Sequence, residues 1–279
     1  MIRKLFLSPW FLLCLTAAAL ANAPLPTLRD YAVLPPPAPG DWLAGHEVNE
    51  QSLEDFQSSD HLVITSRRNV IRIVPLGDPP LSELTVLRRY VETYYPGSRV
   101  EVAPPQSLGD DIRVRHGKLS SDDLLDYLDD EPDNIFLNLG VTSEDIYEET
   151  VPCCHPLFGE APYAERRALA SVARLGTPGT EQFRARLLKL GTHEINHAIG
   201  IRHCKTYRCI MNGSSHLAEA DARPPYLCPE DLSKLEVSLQ CDIISRYRDL
   251  LEFHRGDGLS VAADWYADRL LGLRKHLNG

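Results

Sequence analysis

The order of elements along this chain predicts an α/β (α+β) fold: a mixed twisted sheet flanked by helices, followed by a helical C-terminal part. Three observations carry the prediction. Residues 69–103 alternate strand, amphipathic helix and strand; residues 134–141 are a short apolar run of strand length; and three helical stretches follow residue 180. With 279 residues, 43% of them hydrophobic, the chain is long enough for one domain with a real core and flanking pieces. The formal charge of −10 argues against nucleic acid as a partner. The basic pairs Arg67-Arg68 and Arg88-Arg89 and the acidic runs at 122–123 and 129–131 are short enough to be solvated faces.

Taken in order, residues 1–23 read as a signal peptide. Arg3 and Lys4 precede an uncharged apolar run over 5–20, and small residues at 21–23 suit cleavage. Removal implies a secreted or periplasmic protein without a membrane span; an uncleaved leader would be a membrane anchor near the lower length limit. Residues 24–40 are proline-rich and expected to be an extended linker, and 46–68 show no assignable period, so 24–68 is set apart from the domain that follows. Residues 69–75 predict a strand, 81–95 an amphipathic helix ending before Pro96, and 99–103 a second strand. A helix over 121–128 with Ser121 as N-cap precedes the buried strand. Thr180 or a neighbour starts a helix reaching about Ile199, 229–254 predicts one long helix, and 256–279 a tail with an amphipathic helix.

The helix that ends near Ile199 carries His193, Glu194 and His197, followed by Gly200, His203 and Met211. His193 and His197 are one turn apart on the same face, so both imidazoles can reach one metal ion about 2.0–2.1 Å away. Gly200 admits the left-handed backbone that ends the helix and turns His203 toward the same ion. Three protein ligands leave a fourth position for water, as in catalytic zinc sites, and Glu194 is placed to act as general base on that water. A bare His-Glu-x-x-His arises by chance; Gly200, His203 and the downstream Met211 in register make chance a poor account. Met211 is expected in a tight turn, forming an apolar floor under the imidazoles.

The run from His193 through His203, Cys204, Cys209, Met211 and Cys228 resembles the archaemetzincin metallopeptidases, whose pattern is HExxHxxGxxHC, four residues, CxM, then a CxxC pair. The similarity extends from about residue 69 to 253, including 138–147 and 170–175, and leaves the N-terminal part and the tail uncovered. It implies a metzincin-like domain over 69–255, peptide or protein substrates, and an antiparallel edge strand over 166–175 along which an extended substrate would lie. It also implies a second zinc held by four cysteines, of which this chain supplies Cys204, Cys209 and Cys228. The fourth position is Asp231, and an oxygen ligand in a sulfur site should weaken it. The expectation is therefore one zinc, with Cys204, Cys209, Cys228 and Cys241 engaged in disulfides; Cys241 reads equally as a buried free thiol. Cys153 and Cys154 bring the exported chain to six cysteines, whose pairing sequence does not choose.

The function so predicted is zinc-dependent peptide hydrolysis. Its alternative is a non-catalytic zinc-binding or peptide-recognition module that kept the metal site, against which the presence of Glu194 counts. Blockage of the cleft by the tail or the proline-rich segment is a further possibility, but a cysteine switch is excluded because no cysteine lies between 23 and 152. Tyr207 is the one residue near enough in sequence to be weighed for oxyanion stabilisation, and a surface loop position suits it as well.

Overall fold

The computed structural model describes residues 31–128, 132–150 and 157–277. The signal-like segment, Cys153, Cys154 and the acidic run at 129–131 lie outside the described residues. Five strands form the main sheet: β1 (Val70–Leu76), β2 (Arg99–Val102), β5 (Ile135–Thr142), β7 (Gly159–Glu160) and β8 (Arg167–Ser171), in the order β2-β1-β5-β8-β7. The first three contacts are parallel and only β7–β8 is antiparallel. β3 (Val114–Arg115), β4 (Lys118–Ser120) and β6 (Ile146–Tyr147) make a small second sheet.

The period of two along the strands sorts their side chains onto two faces. Ile71, Ile73, Leu139, Val141, Ala168 and Ala170 join the large core beneath helices α3 (Leu81–Tyr94) and α5 (Glu181–Ile199). Val74, Leu76 and Leu169 join a smaller core with Leu124 and Leu125 of α4 (Ser121–Asp126). β5 is buried along its whole length, as its mainly apolar run, interrupted only by Asn138 before the terminal Thr142, predicts for a strand covered on both faces. Gly191 lets α5 approach α3: a Cβ there would stand 3.1 Å from Leu87 Cδ1.

Four expectations are corrected. The N-cap of α4 is Ser120, one residue earlier than expected, whose hydroxyl accepts from Asp123 N. Residues 166–175 are not the antiparallel edge: β8 is an inner strand parallel to β5, and the antiparallel edge is β7. The long helix over 229–254 is two, α7 (Pro229–Leu239) and α8 (Ile243–Gly256), following α6 (Leu217–Ala222). Gln240 ends α7 in the left-handed region at φ 51°, and Asp242 caps α8 by accepting from Ile244 N and Ser245 N, so Cys241 sits in the connection rather than in a helix.

The flanking pieces differ most from their sequence reading. Two short helices, α1 (Trp42–Gly45) and α2 (Leu53–Ser58), lie in the stretch that showed no period. Ahead of them the proline-rich chain is docked: Leu34 N donates to Thr206 O at 2.9 Å and Arg208 N to Ala32 O at 2.8 Å. Tyr31 is buried, its hydroxyl 3.2 Å from that of Tyr247. The tail helix α9 (Ser260–Leu277) packs on α8, with Tyr266 fully buried and Trp265 stacked on Tyr226 at 3.7 Å. Among the described residues no helix is long and apolar enough to cross a membrane.

Candidate metal centre

Helix α5 presents His193, Glu194 and His197 from its last two turns. Thr180 caps its start by accepting from Phe183 N, and Gly200 ends it at φ 118°, donating to Asn196 O and His197 O. A side chain at Gly200 would be strained there and would meet Asp60 O at 3.3 Å, so the turn that aims His203 needs glycine for conformation and for space. Tyr95 fixes the back of the helix, its hydroxyl donating to Thr192 O or Asn196 Oδ1.

The three imidazoles converge through Nε2. His197 Nε2 is 3.0 Å from His193 Nε2 and 3.1 Å from His203 Nε2. These separations are close to the tetrahedral edge of about 3.3 Å that zinc–nitrogen bonds of about 2.0–2.1 Å would give. On their far sides, His193 Nδ1 is 2.7 Å from Ile210 O and His197 Nδ1 is 2.7 Å from Ile201 O. Carbonyls only accept, so each Nδ1 carries the proton and each Nε2 keeps its lone pair for a metal. Burial holds His193 and His203 well below the usual imidazole range and His197 at about 4, which keeps all three in the neutral, ligating form. This donor set fits zinc.

Glu194 is buried, and desolvation pushes its carboxyl up to about 8, opposed by the charge of Arg223. Its carboxylate lies against the backbone of β7: a Cβ at Gly159 would stand 2.5 Å from Glu194 Oε1. Met211 is fully buried in the turn after His203, next to Ile210, whose carbonyl orients His193. Cys204 N donates to Met211 O at 2.9 Å, which ties this turn to the third histidine.

Cys204, Cys209, Cys228 and Asp231 form a second buried cluster. Cys204 Sγ and Cys228 Sγ are 3.9 Å apart, and Asp231 Oδ2 is 3.2 Å from Cys209 Sγ and 3.3 Å from Cys228 Sγ. A zinc with sulfur bonds of about 2.3 Å would set sulfurs about 3.8 Å apart, so this set also fits a tetrahedral ion. The expected disulfides are not formed: Cys204, Cys209, Cys228 and Cys241 are all free thiols, and Cys241 is no member of the cluster. Burial raises both Cys209 and Asp231, while hydrogen bonds from Cys209 and Cys228 lower Cys204, so negative charge is crowded here. Lys234 Nζ offsets part of it at 2.8 Å from Asp231 Oδ1, with both side chains buried.

Three neighbours of the centre escaped sequence reasoning. Tyr163, half exposed, meets His197 edge-on with ring centroids 5.4 Å apart, whereas Tyr207 pairs with Val33 of the docked N-terminal segment. Arg223 is buried with Nη1 3.1 Å from both His193 Nδ1 and Asn212 O; since that Nδ1 already donates, the bond goes to Asn212 and the charge stands behind His193. Trp42 meets His203. All three are 30 or more residues from the ligand they touch, where no local spacing could flag them.

The model for peptidase family M54 matches residues 112–237. Human archaemetzincin-2 is 28% identical over 262 residues, covering 77% of this chain and 72% of that protein. Among solved structures, archaemetzincin from Archaeoglobus fulgidus, complexed with malonate, is similar with a TM-score of 0.53 and 30% identity, over 59% of this chain and 99% of that one. Archaemetzincin from Methanopyrus kandleri has a TM-score of 0.56 and 29% identity, over 64% and 100%. This agreement of histidine centre, sheet and relatives means that the chain belongs to the archaemetzincins, the zinc metallopeptidases of peptidase family M54.

Proposed function

We propose that this archaemetzincin cleaves peptide bonds at the histidine centre, with His193, His197 and His203 as zinc ligands and Glu194 as general base. The observation that carries the reading is the convergence of three Nε2 atoms beside a buried carboxylate on the same helix. Zinc bound there supplies Lewis acidity, polarising a carbonyl and lowering the pKa of a coordinated water toward about 7. Glu194, buried on the same helix one residue after His193, would take up the proton of the attacking water and return it to the leaving amine. An extended peptide laid along the outer side of β7 would gain main-chain hydrogen bonds while its scissile bond faces Glu194 across Gly159.

A second zinc at Cys204, Cys209, Cys228 and Asp231 belongs to the same proposal. It replaces the expectation of one metal, because the carboxylate occupies the place of the family's fourth thiolate, with Oδ2 turned to the sulfurs of Cys209 and Cys228 and Oδ1 held by Lys234. It leaves no position for substrate and is read as structural. Export is proposed on the pattern of residues 1–23, and mass spectrometry of the native protein should find a terminus near Asn22 or Pro24; an intact Met1 terminus would count against it.

The purified protein should carry two zinc ions per chain and cleave members of a diverse peptide library, with cleavage abolished by a chelator. Metal-loaded protein that leaves the whole library intact would overturn the hydrolytic reading in favour of a recognition module; one zinc per chain would overturn the second site.

A further inference from the structure

The three imidazoles are not held alike. His193 and His197 each give their Nδ1 proton to a backbone carbonyl at 2.7 Å. Among the described residues, His203 Nδ1 has no hydrogen-bond partner, although metal-binding histidines nearly always have one to fix ring rotation and tautomer. What touches His203 instead is the indole of Trp42, edge-on, with centroids 4.3 Å apart. Rotation of the His203 ring would drive it into that indole.

The partly buried indole is itself held by its ring contacts and by its backbone. It stacks on His46 at 4.4 Å with an interplanar angle of 3°, and His46 Nδ1 is 2.7 Å from Trp42 O. Trp42 N donates to the carboxylate of Glu219, at 3.0 and 3.1 Å from its two oxygens, and the neighbouring Asp41 Oδ1 is 3.2 Å from His216 Nε2. The other face fills the space above Gly213, where a Cβ would collide with the ring, so the glycine after the Met211 turn makes room for the tryptophan. These contacts join residues 41–46, which lie outside the stretch matched by the family model, to the metal centre inside it.

We propose that Trp42 is a positioning residue for the catalytic metal: through aromatic packing it performs for His203 the orienting role that Ile210 O and Ile201 O perform for the other two ligands. The N-terminal segment is then part of the active site rather than a spacer. The inference rests on His203 being a zinc ligand, and the test separates the two. Zinc release into a chromophoric chelator is followed for the full exported chain and for Trp42→Ala, Trp42→Phe and His203→Ala, with visible absorption of the cobalt-substituted proteins as a second readout.

Loss of an orienting partner typically costs 10–100-fold in metal affinity. Trp42→Ala should release the catalytic zinc about tenfold faster or more and perturb the cobalt spectrum, and Trp42→Phe should restore both to within about threefold, because a smaller ring keeps the edge contact. The slower, cysteine-held zinc should leave at an unchanged rate in either variant. Unchanged release from Trp42→Ala, while His203→Ala loses its zinc, would overturn the proposal alone. Retention of the catalytic zinc by His203→Ala would overturn the ligand assignment beneath it. Equal acceleration of both zincs, or a Trp42→Phe protein as leaky as Trp42→Ala, would reduce Trp42 to general packing and overturn the proposal as well.

Discussion

The two ligand clusters share a chain junction, since His203 and Cys204 are neighbours, yet they are built on opposite plans. The histidine cluster stands on a rigid 19-residue helix with one ligand added by a glycine turn, and its third imidazole is only partly buried. The cysteine cluster is assembled from the loop after that helix and the start of α7, and all four of its groups are buried. One leaves a single imidazole partly exposed and keeps a carboxylate near; the other is wholly buried and has a lysine at its back. The difference teaches that metal chemistry is set by what surrounds the donors: a preformed face with a vacant direction suits catalysis, whereas a closed sulfur cluster suits holding a loop.

The sharpest way to break the comparison is to remove one function from each side. Glu194→Gln should keep the histidine-held zinc and lose about 10²–10⁴-fold in peptide cleavage, while His197→Ala should lose both metal and activity. Metal analysis beside a peptide assay checks this, and full activity in Glu194→Gln would remove the general base. At the other cluster, Cys209→Ser should act first on stability, by about 4 kcal/mol or more, because the zinc proposed there would be lost with the folding energy it supplies. Thermal melts should show that loss; an unchanged melting temperature with activity abolished would reverse the roles assigned to the two clusters.

A smaller effect tests the closed plan itself. Lys234→Met leaves Asp231 buried without its cation, which should cost about 3–5 kcal/mol in metal-free protein. With zinc bound the cost should be smaller, since the ion then takes up the carboxylate charge. Equal costs in melts with and without a chelator would argue that no cation sits beside Asp231.

The smallest effect concerns the strand that borders the open plan. Glu160, beside Gly159 on β7, is pushed up to about 7 by burial, and among the described residues its buried Oε2 meets no partner. A carboxyl with a raised folded-state pKa binds its proton more tightly in the native state. Its contribution to stability is therefore complete below the unfolded value of about 4.5 and is lost as pH rises to about 7. Allowing for the group's partial exposure to solvent, about 2 kcal/mol should disappear across that window in the parent protein and much less in Glu160→Gln. Parallel stability curves for the two proteins between pH 4.5 and 7.5 would show that Glu160 keeps its charge when folded.

How much of this was legible in the sequence varies with the range of the interaction. The histidine centre was fully legible, because its spacing is a helix repeat: positions i and i+4 share a face whatever the rest of the fold does, and Gly200 announces its own turn. The edge strand was misplaced because β8 carries an apolar run that reads as a strand while β7 is only Gly159-Glu160, which has no strand signature, and only pairing decides which is inner and which is outer. The break at Gln240 was missed since an apolar period continues across it; the cap at Asp242 wins because it satisfies amides that a continuous helix would have paired differently.

By itself, then, the sequence determined the α/β class, the grouping of the three histidines with the glutamate beside them, and the family, all of which rest on local periods and fixed spacings. Only the tertiary structure decided that Asp231 closes a cysteine cluster against Lys234, that β7 is the outer edge facing Glu194, and that a proline-rich start carries Trp42 to His203. The physical reason is that sheet order and aromatic packing join groups far apart along the chain, and that the Asp231–Lys234 pair, though one helical turn apart, matters only because the fold buries it beside three cysteines.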